Sequence, residues 1–132
     1  MNKNLFYLII AVFTLFVGFQ TVSAQEAKRA VIEAPAPTHD FGKIKEKDGS
    51  VKHDFVIVNK GNAPLVITKV MSSCGCTTPK YSQEPIPPGK SSIITVIYDP
   101  TNRVYPFVKT VSVYSNGKDG APLILTIKGV VE

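Results

Sequence analysis

The sequence predicts an all-β, immunoglobulin-like sandwich of about seven strands, preceded by an N-terminal signal peptide helix. Three observations carry that reading. Short apolar runs with period-2 alternation recur at roughly 10–15-residue intervals. Clusters of Gly, Pro, Asn and Asp separate them, and no convincing helical periodicity appears downstream of residue 24. The 132 residues, 44% hydrophobic and 19% charged, suit one ordinary globular domain and argue against disorder.

Residues 1–24 read as a cleavable signal peptide. Lys3 supplies a positive start, and Leu5 to Phe19 is apolar apart from Thr14 and Gly18. Val22-Ser23-Ala24 then offers the small residues a signal peptidase reads, so cleavage is expected after Ala24. A membrane anchor would need roughly 20 apolar residues. This run is shorter and meets a cleavage signal, so no integral span is expected in the mature chain. No Cys follows the apolar run, which argues against a lipid-modified N-terminus. The expected destination is the periplasm or the extracellular space.

In the mature chain, residues 25–37 read as a flexible lead-in around Pro35-Ala36-Pro37, with a first edge strand near Ala30–Glu33. Residues 38–132 read as the sandwich domain. Thr38 to Ile44 closes on the charged turn Lys45-Glu46-Lys47-Asp48-Gly49. In Val51 to Asn59, residues Val51, His53, Phe55 and Ile57 share one face. Asn59-Lys60-Gly61-Asn62 then reads as a turn that uses residues tolerant of positive φ.

Leu65 to Met71 is the next strand. Pro79 and Pro85-Ile86-Pro87-Pro88-Gly89 predict irregular chain from Ser72 to Lys90, because proline cannot donate to a central ladder. Ser91 to Tyr98, Val104 to Ser115 and the run around Leu123, Leu125 and Ile127 complete the set. The Cys…Trp…Cys pattern of antibody domains is missing, since Trp is absent.

The formal charge of +5 comes mainly from lysines scattered along strands and turns, a pattern of solvated faces and protected edges. Nucleic-acid binding would want clustered arginines and stacking aromatics, and only Arg29 and Arg103 are present. No phosphate-binding glycine loop, zinc-protease helix or nucleophile elbow occurs, so no cofactor is expected.

Several segments of the mature chain carry a resemblance. His39-Asp40-Phe41-Gly42-Lys43-Ile44 and Phe55-Val56-Ile57-Val58-Asn59-Lys60-Gly61 resemble the opening of the bacterial family called domain of unknown function 1573. Pro64-Leu65-Val66-Ile67-Thr68-Lys69-Val70, running into Ser73-Cys74-Gly75-Cys76-Thr77-Thr78-Pro79, is similar to its most recognisable motif. Ile86-Pro87-Pro88-Gly89-Lys90 and Ser115-Asn116 match later landmarks. The resemblance covers nearly all the mature chain. It implies an immunoglobulin-like fold related to the ASH, Hydin and major-sperm-protein modules, which mostly serve as binding or scaffolding units. It implies no activity.

Cys74 and Cys76 admit four readings. As structural residues they are small and buried, or joined in a bridge whose short ring removes on the order of 1.5 kcal/mol of unfolded-chain entropy. As a redox pair, Cys74 or Cys76 forms a mixed disulfide with a partner, and Gly75 lets the backbone bend to close the ring. As metal ligands for copper or zinc they would be joined by His53, with His39 and Met71 as further donors. As a catalytic nucleophile, Cys would need a His partner. The doublets His39-Asp40 and His53-Asp54 do not supply a ready His–Asp pair, because adjacent strand residues point to opposite faces. Tyr81, Tyr98, Tyr105 and Phe107 are a weaker aromatic contact patch, with Tyr98 expected in the core.

The function these residues support is an exported, non-enzymatic binding or structural module whose partner is a protein or cell-envelope component. The alternative is a thiol-redox or metal-handling protein that uses the Cys-Gly-Cys motif.

Overall fold

Alternating apolar residues fill the inner faces of two sheets in the computed structural model, which describes residues 27–132 together with Asn4. The signal segment, residues 1–24, and its cleavage site lie outside the described residues. The strands are β1 (Ile32–Glu33), β2 (Thr38–Ile44), β3 (Val51–Asn59), β4 (Ile67–Ser72), β5 (Thr77–Tyr81), β6 (Ser91–Tyr98), β7 (Pro106–Ser115) and β8 (Leu123–Val131). A single 3-10 turn, Glu46–Asp48, links β2 to β3. One sheet runs β1-β3-β6-β5 and the other β2-β8-β7-β4. All pairings are antiparallel except β2 with β8, which is parallel.

The alternation read from sequence is the one observed. Phe55 and Ile57 of β3, and Ile94, Val96 and Tyr98 of β6, point inward against Val111 and Val113 of β7 and Leu125 and Ile127 of β8. The Tyr98 ring stacks on Phe107 with centroids 4.0 Å apart, joining the sheets at one end. Each large apolar side chain buried this way contributes roughly 1.5–3 kcal/mol relative to exposure. No helix among the described residues is long and apolar enough to cross a membrane.

Three sequence expectations change. The segment read as a lead-in holds its expected edge strand as β1, and it is docked from Arg29 onward. Ala30 and Ile32 are buried in the core, β1 pairs with the end of β3, and the Asn62 N–H donates to the Arg29 carbonyl. Its prolines mark the crossing from one sheet to the other rather than free chain, and the Pro37 carbonyl accepts from the Thr126 N–H.

The irregular stretch after Ser72 contains β5, with Pro79 inside it. This is tolerated because β5 is an edge. The Thr77 N–H turns back to the Cys74 carbonyl, away from β6, and two residues on Pro79 shares that orientation, so its missing N–H is not needed.

The turn after β3 takes no positive φ at Asn59, Gly61 or Asn62. Asn59 is instead fully buried. Gly61 is required by close approach, since a Cβ there would sit 2.7 Å from the Val31 nitrogen.

Candidate functional site

The corner between β4 and β5 carries the chemistry. Here the chain leaves the edge of one sheet and joins the edge of the other, and the linking residues are Ser73 to Cys76. Cys74 and Cys76 form a disulfide with Cα atoms 5.2 Å apart. Cys74 is half-buried, Gly75 exposed and Cys76 buried.

The backbone of this corner is anchored independently of the sulfurs. On one side the Ser73 N–H donates to the Thr110 carbonyl at 2.9 Å, and the Thr110 N–H donates to Ser73 Oγ at 3.1 Å. On the other the Asp99 N–H donates to the Cys76 carbonyl at 2.9 Å. The Cys74 carbonyl accepts from Ser72 Oγ at 3.0 Å and from the Thr77 N–H at 3.1 Å.

Each sulfur also faces a donor. The Cys76 N–H points at Cys74 Sγ, 3.3 Å away, and Thr77 Oγ1 lies 3.7 Å from Cys76 Sγ. Thr77 is itself buried, so its hydroxyl is held where the sulfur is.

Gly75 sits in the turn that the Thr77 N–H closes on the Cys74 carbonyl. Its φ is outside the left-handed region, and a Cβ built on it would meet nothing within 4 Å. The fold places no steric demand for glycine at this position.

His53 belongs to a different group. On β3 it stacks face to face on His39 of β2, with centroids 3.7 Å apart and planes 6° from parallel, which ties the two sheets together along one side. Phe41 and Phe55 meet these rings edge-on at 4.6 and 4.7 Å. Burial pushes the His53 imidazole below its ordinary value, and the neighbouring His39 pushes the same way against a smaller opposing pull from Asp54. His53 is on β3, and the cysteine pair lies in the corner that leads into β5, a strand that β6 separates from β3. Among the described residues no three His, Cys, Asp or Glu side chains gather as a metal site. Met71 is exposed on β4.

The aromatic patch is not assembled. Tyr98 and Phe107 are buried, while Tyr105 is exposed. Sequence reasoning missed a different surface, the outer face of the sheet β2-β8-β7-β4. Met71, Val108, Ile124 and Val130 are all exposed there. Register aligns Met71 with Ser112 and Ser112 with Ile124, while Val108 faces Lys128 and Pro106 faces Val130. The available signal was the second apolar register of the last strand, where Ile124 and Val130 alternate with the core residues Leu125, Ile127 and Val131.

The architecture defines a small immunoglobulin-like sandwich module with a disulfide-closed corner. Residues 32–131 match the family described as protein of unknown function (DUF1573), and the chain belongs to that family.

Among solved structures it is similar to a protein of unknown function from Porphyromonas gingivalis, with 20% identity over 83% of this chain and a TM-score of 0.69. The chain spans 51% of that protein, about half its length. It is also similar to VesC, a secreted serine protease from Vibrio cholerae, at 13% identity and TM-score 0.57, covering 78% of this chain and 23% of that one. WR4, an MSP family member from C. elegans, aligns at 11% identity and TM-score 0.50 over 78% of this chain and 99% of its own. At these identities the likeness is one of fold. No curated protein matches the chain.

Proposed function

We propose that the domain is a non-enzymatic binding module of the cell envelope, exported by its N-terminal segment and docking a protein or envelope component. The observation that carries this reading is the exposed outer face formed by Met71, Val108, Ile124 and Val130. Apolar side chains facing water in one sheet gain by being covered, at roughly 25 cal/mol per Å² of apolar area. Lys69 and Lys128 on the same strands add positive charge beside them. Among the described residues no free thiol stands beside a histidine base. The histidines stack on each other, and neither cysteine is a free thiol.

The test is capture from an envelope extract with the mature chain immobilised, beside a Val108→Glu/Ile124→Lys variant that alters the outer face and leaves the core intact. A partner retained by the wild type and lost by a folded variant supports docking through this face. No partner above background, or equal capture by both, overturns it. The intact mass of the protein recovered from the envelope fraction tests export separately. A chain beginning at Gln25 is the expected result.

A further inference from the structure

We propose that the Cys74–Cys76 disulfide is an exchangeable bond through which the domain trades disulfides with a protein dithiol. Cys74 is the sulfur attacked, and Cys76 is the one that leaves and later resolves. This goes beyond docking and rests on observations independent of the outer face.

The first observation is that the bond is unnecessary to the corner it closes. Hydrogen bonds from Ser73, Thr110 and Asp99 hold the backbone on both sides, and Ser72 and Thr77 cap the Cys74 carbonyl. A ring spanning two residues removes little unfolded-chain entropy, since that contribution grows with loop length. The two thiols can therefore separate while the strands stay in place.

The second is asymmetry. Cys74 is half-buried beside an exposed residue without a side chain, so a thiolate can approach it, whereas Cys76 is 5% exposed. An incoming sulfur meets Cys74 first.

The third is that both sulfurs are provided with donors for the charge that exchange creates. A thiolate accepts hydrogen bonds and is favoured by them. When Cys76 leaves, the Thr77 hydroxyl at 3.7 Å donates to it, and when Cys74 leaves, the Cys76 N–H does so.

The steps balance with a dithiol as co-reactant. One partner thiolate attacks Cys74 Sγ, and a bond forms between those sulfurs while the Cys74–Cys76 bond breaks. Its electron pair departs on Cys76 Sγ. The partner's second thiol, deprotonated, then attacks the partner sulfur of the mixed disulfide and expels Cys74 as a thiolate. The two protons lost by the partner thiols end on Cys74 and Cys76. The partner is oxidised by two electrons and the domain reduced by two. The same route in reverse, from a partner disulfide, restores the bond, with Cys76 attacking Cys74 in the mixed disulfide.

The experiment uses the mature chain and glutathione as the probe. The protein is equilibrated without denaturant in buffers of varied reduced-to-oxidised glutathione ratio, trapped by alkylation and weighed, and its fold is followed by circular dichroism. The expected result is a reversible passage from disulfide to dithiol with the β signal retained.

In parallel, Cys76→Ser leaves Cys74 to collect a glutathione adduct, and Cys74→Ser leaves Cys76, which should react at least about tenfold more slowly because it is buried. A disulfide that resists reduction until denaturant is added overturns the proposal. So does a domain that unfolds on reduction, or equal adduct rates in the two folded variants. Should either variant fail to fold, the wild-type titration decides alone.

Discussion

The two ends of the sandwich treat their buried chemistry in opposite ways. At the turn after β3, Asn59 is fully buried and every polar atom of its amide is engaged. Its Nδ2 donates to the Ala63 and Ile86 carbonyls at 2.8 and 2.9 Å, and its Oδ1 accepts from the Gly61 and Val31 N–H groups. The side chain is a plug that stitches β1, the turn and the proline-rich loop together. At the β4–β5 corner hydrogen bonds from Ser73, Thr110 and Asp99 anchor the backbone on both sides of the disulfide, with Cys74 half-buried and Cys76 buried. A buried group on which its surroundings depend serves the fold. A reactive group on which they do not depend is available for something else.

The largest expected effect breaks the first half of this contrast. Asn59→Ala leaves the Gly61 N–H and the Ala63 carbonyl without their partners and should cost about 3 kcal/mol in urea unfolding. If the variant were no less stable than reduced wild type, the two corners would not differ as described.

A smaller effect of opposite sign is expected at Tyr98, beside the cysteine corner in register with Thr77. Its hydroxyl is buried without a hydrogen-bond partner, and burial pushes its phenol up from the ordinary value. Tyr98→Phe removes an unsatisfied polar atom while keeping the stack on Phe107. It should be neutral or stabilising by up to about 1 kcal/mol. A marked loss of stability would mean the hydroxyl has a role that the contrast with Asn59 leaves out.

The smallest effect is expected from the histidine stack. The folded chain holds His53 below its ordinary value of 6.5, chiefly by burial and then through His39, so the fold favours the neutral ring. Its stabilisation is fully present above pH 6.5 and is lost as the pH falls through the lower folded value. The melting temperature should therefore fall slightly between about pH 7 and pH 5, and His53→Gln should flatten that slope. A slope of the opposite sign would show that Asp54 outweighs burial.

These contrasts also mark what the sequence makes legible. Alternation is a local signal, and it identified the faces of β3, β6 and β8 because Phe55, Ile94 and Leu125 recur with their neighbours at period two. It could not see that Asn59, two residues beyond Ile57 on the same inward face, would find a carbonyl partner, Ile86, on a loop far along the chain. Pro79 counts against a strand only at a central position, and edge placement is a property of the whole sheet. The cysteine pair was visible as a spacing. Its anchoring by Thr110 and Asp99, and its separation from His53 by β6, are consequences of topology and needed the fold.

The parallel pairing of β2 with β8 has a mechanical consequence. Thr38 lies beside Thr126 and Ile44 beside Val131, so the two strands run in the same direction. Tension applied ahead of β2 and beyond β8 would drag these neighbours past one another. Once the two-residue β1 lets go, the remaining ladder is loaded in shear, all its hydrogen bonds together rather than one after another. A chain joined in that way resists being drawn out from its ends, a useful property for a domain strung between two attachments.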